Sequence, residues 1–152
     1  MEGVESPCSR LGIIGVGGIG SLVADTWIKL GMKVIGFDPE ITVDAAWRLP
    51  SSVRKANSIE ELLKQSDFVT LHVPLLEVTR HLIDDKRLAA LKSVAALLNF
   101  ARAGIVDEAA VIPPLRAPRL KNSLCALPTA KLPLQTGVAA LRHRGPPPRP
   151  RP

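Results

Sequence analysis

Three glycines, Gly15, Gly17 and Gly20, stand as G-x-G-x-x-G in the stretch GVGGIG, and Asp38 follows 18 residues after the last of them. That spacing can bind a dinucleotide. Gly15 permits a tight turn, Gly17 lets backbone approach a pyrophosphate, and Gly20 lets a helix pack closely on a strand, while the helix N-terminus attracts the anion. A carboxylate at Asp38 would accept hydrogen bonds from the adenosine ribose hydroxyls and repel a 2′-phosphate, which favours NAD over NADP. The bland alternatives are a tight turn and a solvated aspartate ahead of Asp-Pro. Context decides between them, because the fingerprint needs a strand before it and a helix after it. Cys8 and Cys125 stand far apart with no metal-type spacing, so neither a metal site nor a disulfide framework is expected and a reducing cytoplasm is the default.

The elements that must position these residues alternate. Leu11 to Val16 (LGIIGV) reads as a buried strand ending in glycine. The next stretch repeats apolar residues every four positions, Ile19, Val23, Trp27 and Leu22, Thr26, Leu30, which predicts a helix with that side inward and Gly31 as its C-cap. Lys33 to Asp38 (KVIGFD) is a second strand. Ser58 with Glu61 is a capping box ahead of Leu62 and Leu63, and Asp67 to Val73 (DFVTLHV) is a strand halted by Pro74. Asp84 can cap a helix through Leu91, Val94 to Leu98 is another buried strand, and Asp107 can start a short helix that breaks at Pro113-Pro114. Strands alternating with helices at these lengths predict an α/β fold, a Rossmann-type doubly wound parallel sheet. The glycine fingerprint then falls between the first strand and the first helix, as dinucleotide binding requires.

The chain has 152 residues, 46% of them apolar, and a formal net charge of +6. Its longest charge-free run, Leu11 to Ala24, has 14 residues, short of the roughly 18 that suggest a membrane span. Glu2 and Glu5 stand where a signal peptide would be basic, so no export signal or membrane partner is expected. The charge is unevenly spread. Residues 1–112 carry 12 basic and 14 acidic residues, a net of −2, whereas residues 113–152 carry 8 basic and no acidic residues and ten of the 14 prolines. The chain therefore divides into a periodic domain over 10–112 and a basic, proline-rich tail over 113–152 expected to be disordered. Three readings of the tail stand together: a shifted reading frame or alternative exon, a polyproline II arm carried by GPPPRPRP, and non-specific nucleic-acid binding. The last is disfavoured by the lack of an aromatic residue to stack on bases. Ending the domain at Ile112 would leave about five strands with a bare sheet edge.

The stretches LGIIGVGGIG, GMKVIGFDP, TVDAAW, SDFVTLHVPL, TRHLID and LLNFARAGIVDE run in order from Arg10 to Ala110. Together they resemble the NAD-binding domain of the D-isomer-specific 2-hydroxyacid dehydrogenases, with TVDAAW leaning toward the phosphoglycerate dehydrogenase branch. The resemblance implies an oxidoreductase that transfers hydride between C2 of a 2-hydroxy acid and NAD, in a homo-oligomer. It also implies that Gly15, Gly17, Gly18, Ile19 and Gly20 hold the pyrophosphate and Asp38 the ribose. By the same resemblance His72, Val73 and Pro74 flank the adenosine, and Thr79, Asn99, Ala101 and Arg102 lie near the phosphates and nicotinamide. Arg102 would grip the substrate carboxylate, a task suited to a planar, permanently charged guanidinium.

Two departures stand inside the matching stretches. The family commonly has a basic or polar residue where Gly18 stands and a glycine where Ala103 stands; a Cβ at Ala103 would misplace Arg102 if that turn needed positive φ. His72 invites the role of general base, but the family's base comes from a later Pro-His motif paired with a glutamate, and neither has a counterpart in this sequence. The resemblance thus implies a cofactor domain whose own turnover is doubtful. The alternative is a non-catalytic NAD-binding or tail-mediated interaction module.

Overall fold

The computed structural model describes residues 9–92, 95–99, 101–107, 109, 110 and 122–125. Six strands lie in one sheet: β1 (Arg10–Ile14), β2 (Lys33–Phe37), β3 (Arg54–Lys55), β4 (Phe68–Leu71), β5 (Ala96–Asn99) and β6 (Asn122–Cys125). Their order is β3-β2-β1-β4-β5-β6, and every pairing is parallel. The chain builds outward from β1 in one direction, returns, and builds outward in the other. The strand order therefore reverses beside β1, where Ile14 sits in register with both Phe37 and Leu71. In a doubly wound sheet that reversal opens a crevice at the carboxyl ends of the strands.

Helices α1 (Gly18–Lys29), α2 (Val43–Arg48), α3 (Ile59–Gln65) and α4 (Asp85–Ala90) supply the layers on the two faces. One face packs Leu11, Ile13, Val16, Ala24 and Val34, with Val23, Trp27 and Ile28 of α1 against them. The other packs Ile14, Ile35, Val69, Leu71 and Leu97 with Leu62, Leu63 and Leu88 from α3 and α4. Both strand faces are apolar because both are covered, which is why these strands read as continuous hydrophobic runs. The start signals work as their residue types dictate. Ser58 Oγ accepts from the Glu61 N–H at 3.1 Å, and Glu61 reaches back to the Asn57 N–H at 2.8 Å, one residue before the cap itself. Asp84 caps α4 by accepting from the Arg87 N–H, and Asp107 accepts from the Ala109 N–H.

Three features differ from the sequence expectations. The stripe expected to face inward on α1 is partly outward, with Ile19, Leu22 and Leu30 each more than two-thirds exposed and Gly20 and Ala24 buried instead. The cause is steric: a Cβ at Gly20 would collide with the Gly15 carbonyl oxygen, so the small-residue side of the helix makes the close approach and the branched residues turn away. The second difference is α2 with β3, which fell in an unassigned stretch. Thr42 Oγ1 caps α2 by accepting from the Ala45 N–H. The third is β6. Residues 122–125 lie inside the segment expected to be disordered, yet they pair along β5 from Ala96↔Asn122 to Asn99↔Cys125. Open N–H and C=O groups on β5 make a template for one more parallel strand, and β6 occupies it, so β5 is not a bare edge. The rest of the proposed tail lies outside the described residues.

Candidate functional site

The glycine turn joins β1 to α1 at the carboxyl end of the sheet. Gly15 has φ 91°, and a Cβ there would stand 2.8 Å from the His72 carbonyl carbon and 2.9 Å from a Val73 methyl. Only glycine satisfies both the dihedral and the space. Its N–H donates to the Phe37 carbonyl at 2.9 Å, tying the turn to the end of β2. Gly17 is the N-cap of α1, and no acidic residue stands in the first turn. The amide groups of Gly18, Ile19 and Gly20 open the helix and have no acceptor within it. Around Gly17 and Gly18 no protein atom lies where a Cβ would meet it. The turn thus presents unpaired donors and the positive end of a 12-residue helix to open space, the arrangement a pyrophosphate fits.

Asp38 follows β2 directly. One carboxylate oxygen accepts from the Val16 N–H at 3.1 Å and the other from the Glu40 N–H at 3.0 Å. Each oxygen keeps a further lone pair for a ligand hydroxyl, so the carboxylate can hold the turn and a diol together. A cavity of about 650 Å³ runs from Asp38 past Gly15 and Gly17 to His72, Val73, Pro74 and Thr79, with Phe37, Leu76 and Val78 among its apolar walls. A second cavity of about 790 Å³ carries on over Ile19, Ala101 and Arg102 and shares His72, Val73 and Pro74 with the first. The two make one cleft across the strand-order reversal.

His72 is half-buried, and burial pushes its imidazole below the ordinary value of 6.5. Its Nε2 lies 3.0 Å from the hydroxyl of the buried Thr70. Thr70 is not legible in the sequence as this partner, because on an alternating strand the residue two positions away shares a face but need not share a bond. Thr79 is occupied by its own loop: its hydroxyl accepts from the Leu76 N–H at 2.7 Å and donates to the Pro74 carbonyl at 2.6 Å. It shapes the wall of the cavity. Asn99 is 1% exposed and does not line the cleft. Its amide donates to the Arg102 carbonyl at 3.0 Å, and its oxygen accepts from the Ala101 N–H at 3.1 Å. Asn99 therefore folds the turn that delivers Arg102. Ala103 begins a short 3-10 turn, Ala103–Ile105, and is not at positive φ; among the described non-glycine residues only His81 is, at 49°. The condition under which Ala103 would misplace Arg102 is not met.

Most expected site residues thus come together, with Gly20 and Asn99 acting from behind and Gly18 at the open rim. Among the described residues, no group of three His, Cys, Asp or Glu side chains could hold a metal, and no helix is long and apolar enough to cross a membrane. Comparison with known proteins settles the lineage. The profile of the D-isomer specific 2-hydroxyacid dehydrogenase NAD binding domain matches residues 1–125. The chain belongs to the D-isomer-specific 2-hydroxyacid dehydrogenase family. The match runs 13 residues past Ile112, in agreement with β6.

Within this family, the chain is 43% identical over 125 residues to the (S)-sulfolactate dehydrogenase of Chromohalobacter salexigens, covering 82% of this chain and 40% of that protein. It is 38% identical over 120 residues to the D-3-phosphoglycerate dehydrogenase of Methanocaldococcus jannaschii, covering 79% and 22%. The crystal structure of D-lactate dehydrogenase from Aquifex aeolicus complexed with NAD and lactic acid superposes with a TM-score of 0.70 at 33% identity, covering 78% of this chain and 34% of that one. The chain spans well under half the length of these relatives. It carries the NAD-binding domain of the dehydrogenases, and the relatives it resembles act on several different acids.

Proposed function

We propose that this domain holds NAD along the cleft from Asp38 to Arg102, and that Arg102 presents the carboxylate of a 2-hydroxy or 2-keto acid to the nicotinamide end. The continuity of the two cavities through His72, Val73 and Pro74 supports this reading, because one cleft then runs from the Asp38 carboxylate past the glycine turn to the Arg102 guanidinium. NAD when bound supplies the hydride acceptor. The residues of this chain bind and orient. Asp38 accepts from the ribose, the α1 N-terminus neutralises the phosphates, and Arg102, whose side chain has no hydrogen bond or ion pair among the described residues, remains free to grip a carboxylate bidentately. His72 is a wall of the cleft, since its Nε2 is engaged with Thr70. The proton of the substrate hydroxyl goes to a base outside the cleft residues described. Cytoplasmic location and homo-oligomeric assembly belong to the same reading, and phosphoglycerate stands as one candidate substrate beside sulfolactate and lactate.

Oxamate, a carboxylate-bearing analogue of a keto acid, tests it. Titration of the NADH complex with oxamate is expected to saturate, and Arg102→Gln to weaken oxamate at least tenfold while leaving NADH affinity within about twofold. Equal oxamate affinity in the variant would remove Arg102 from the site.

A further inference from the structure

A further cavity of about 450 Å³ shares Phe37, Asp38 and Pro39 with the cofactor cleft and is lined by residues of β2, α2 and β3. We propose that it binds a small amphipathic organic anion, with Lys55 holding the charged end.

The walls argue for the apolar body. Val16, Ile41, Ala46, Leu49 and Val53 line it, and Gly36 lies across from Lys55 in the β2–β3 register. Glycine inside a strand weakens it and commonly marks a place that something approaches closely. Here a Cβ at Gly36 would press on Val16 at 2.9 Å and meet Val53 at 3.5 Å. The missing side chain therefore keeps both valines at the cavity floor. The volume falls within the roughly 300–1,000 Å³ of small-molecule sites.

Strand alternation selects the cation. Along 53–56, Val53 joins the core on the α1 side of the sheet and Ala56 the core on the α3 side. Period two then puts Lys55 on the face of Val53 and Gly36, and Arg54 on the other. Arg54 also borders the cavity, but its guanidinium is engaged with α3, 3.7 Å from Glu61 and 3.3 Å from Gln65. Lys55 has no ion-pair partner among the described residues. The one carboxylate in the wall, Asp38, is already bonded to the Val16 and Glu40 amides, so an anion is drawn to the Lys55 end. Gly15 and Gly17 do not line this cavity, although Val16 between them does, so it adjoins the glycine turn without including the helix N-terminus.

The test uses the full chain, ¹⁵N-labelled and saturated with NADH, titrated with decanoate and, separately, with decanol. Saturable shifts are expected at the amides of Ala46, Val53, Lys55 and Ala56, with decanol at least tenfold weaker. Lys55→Glu should weaken decanoate at least tenfold with NADH affinity unchanged, and Ala46→Phe, which narrows the cavity without touching a charge, should weaken both ligands. A dispersed amide spectrum in each variant shows that it is folded. Shifts centred on Gly15 and Thr79, shifts confined to exposed Ile19 and Leu22, or an unaltered affinity in a folded Lys55→Glu variant would overturn the proposal.

Discussion

Single residues set both the acid sensitivity of the domain and the room for a tighter phosphate site. Burial holds the His72 imidazole below 6.5, while in the unfolded chain it titrates near that value. On acidification the unfolded state takes up this proton first, so stability is full above pH 6.5, falls as the pH drops through that value and levels off once the folded form is also protonated. The carboxylates act in a lower window. Glu60 is held below 4.5 by a backbone N–H and by Arg87; Asp67, although burial opposes it, is held below 3.8 by the Arg10 N–H and Lys92. Their contribution is present above those values and is lost only as pH falls through their lower folded pKa. The expected melting temperature therefore declines between pH 7 and 5, and His72→Asn flattens that decline without changing the steeper one below pH 4.5. Thermal melts across pH check it, and a decline unchanged in His72→Asn would contradict it. Gly18 offers a gain. It is the first residue of α1, beside the open pyrophosphate side, and a Cβ there meets nothing. Gly18→Arg should tighten NADH several-fold by adding a charge-assisted bond to phosphate, measured by calorimetry, with no loss of melting temperature.

At the level of elements, the alternation of strands and helices was legible because each signal was local: apolar runs ended by glycine or proline, and caps at Ser58 and Asp84. The cofactor turn was legible for the same reason, since its glycines and Asp38 work through short-range geometry. What was not legible depended on partners distant in sequence. The facing of α1 follows from Gly20 meeting Gly15, a contact that a helical wheel does not contain. The hydrogen bonds by which Asn99 holds the Ala101–Arg102 turn depend on a loop conformation that residue types alone do not specify. β6 was hidden because its segment is basic and proline-rich on average, while the four residues that pair are neither. The strand has a measurable consequence. A chain ending at Cys125 should melt within a few degrees of the full chain, whereas one ending at Ile112 should lose several degrees or aggregate, as β5 becomes an open edge. Equal melting of the two would deny β6 a role in stability.

On the scale of the whole molecule, the net charge of +6 divides between a mildly acidic nucleotide-binding domain and a basic segment, and the family match to residue 125 places the functional weight on the former. The domain presents one cleft at the strand-order reversal, with the positive helix end at its centre and Asp38 and Arg102 at its extremes. In the function proposed above, that asymmetry orients the dinucleotide with adenosine toward Asp38 and nicotinamide toward Arg102. In the same proposal Asp38 sets selectivity, because a carboxylate already bonded to two backbone amides cannot retreat from a 2′-phosphate without releasing the glycine turn. The most direct measurement is a calorimetric titration of the full chain with NADH and, in parallel, NADPH. Saturation by NADH at one site per chain, with NADPH at least tenfold weaker, is the predicted result. NADPH binding as tightly as NADH, or no saturation by either, would contradict it.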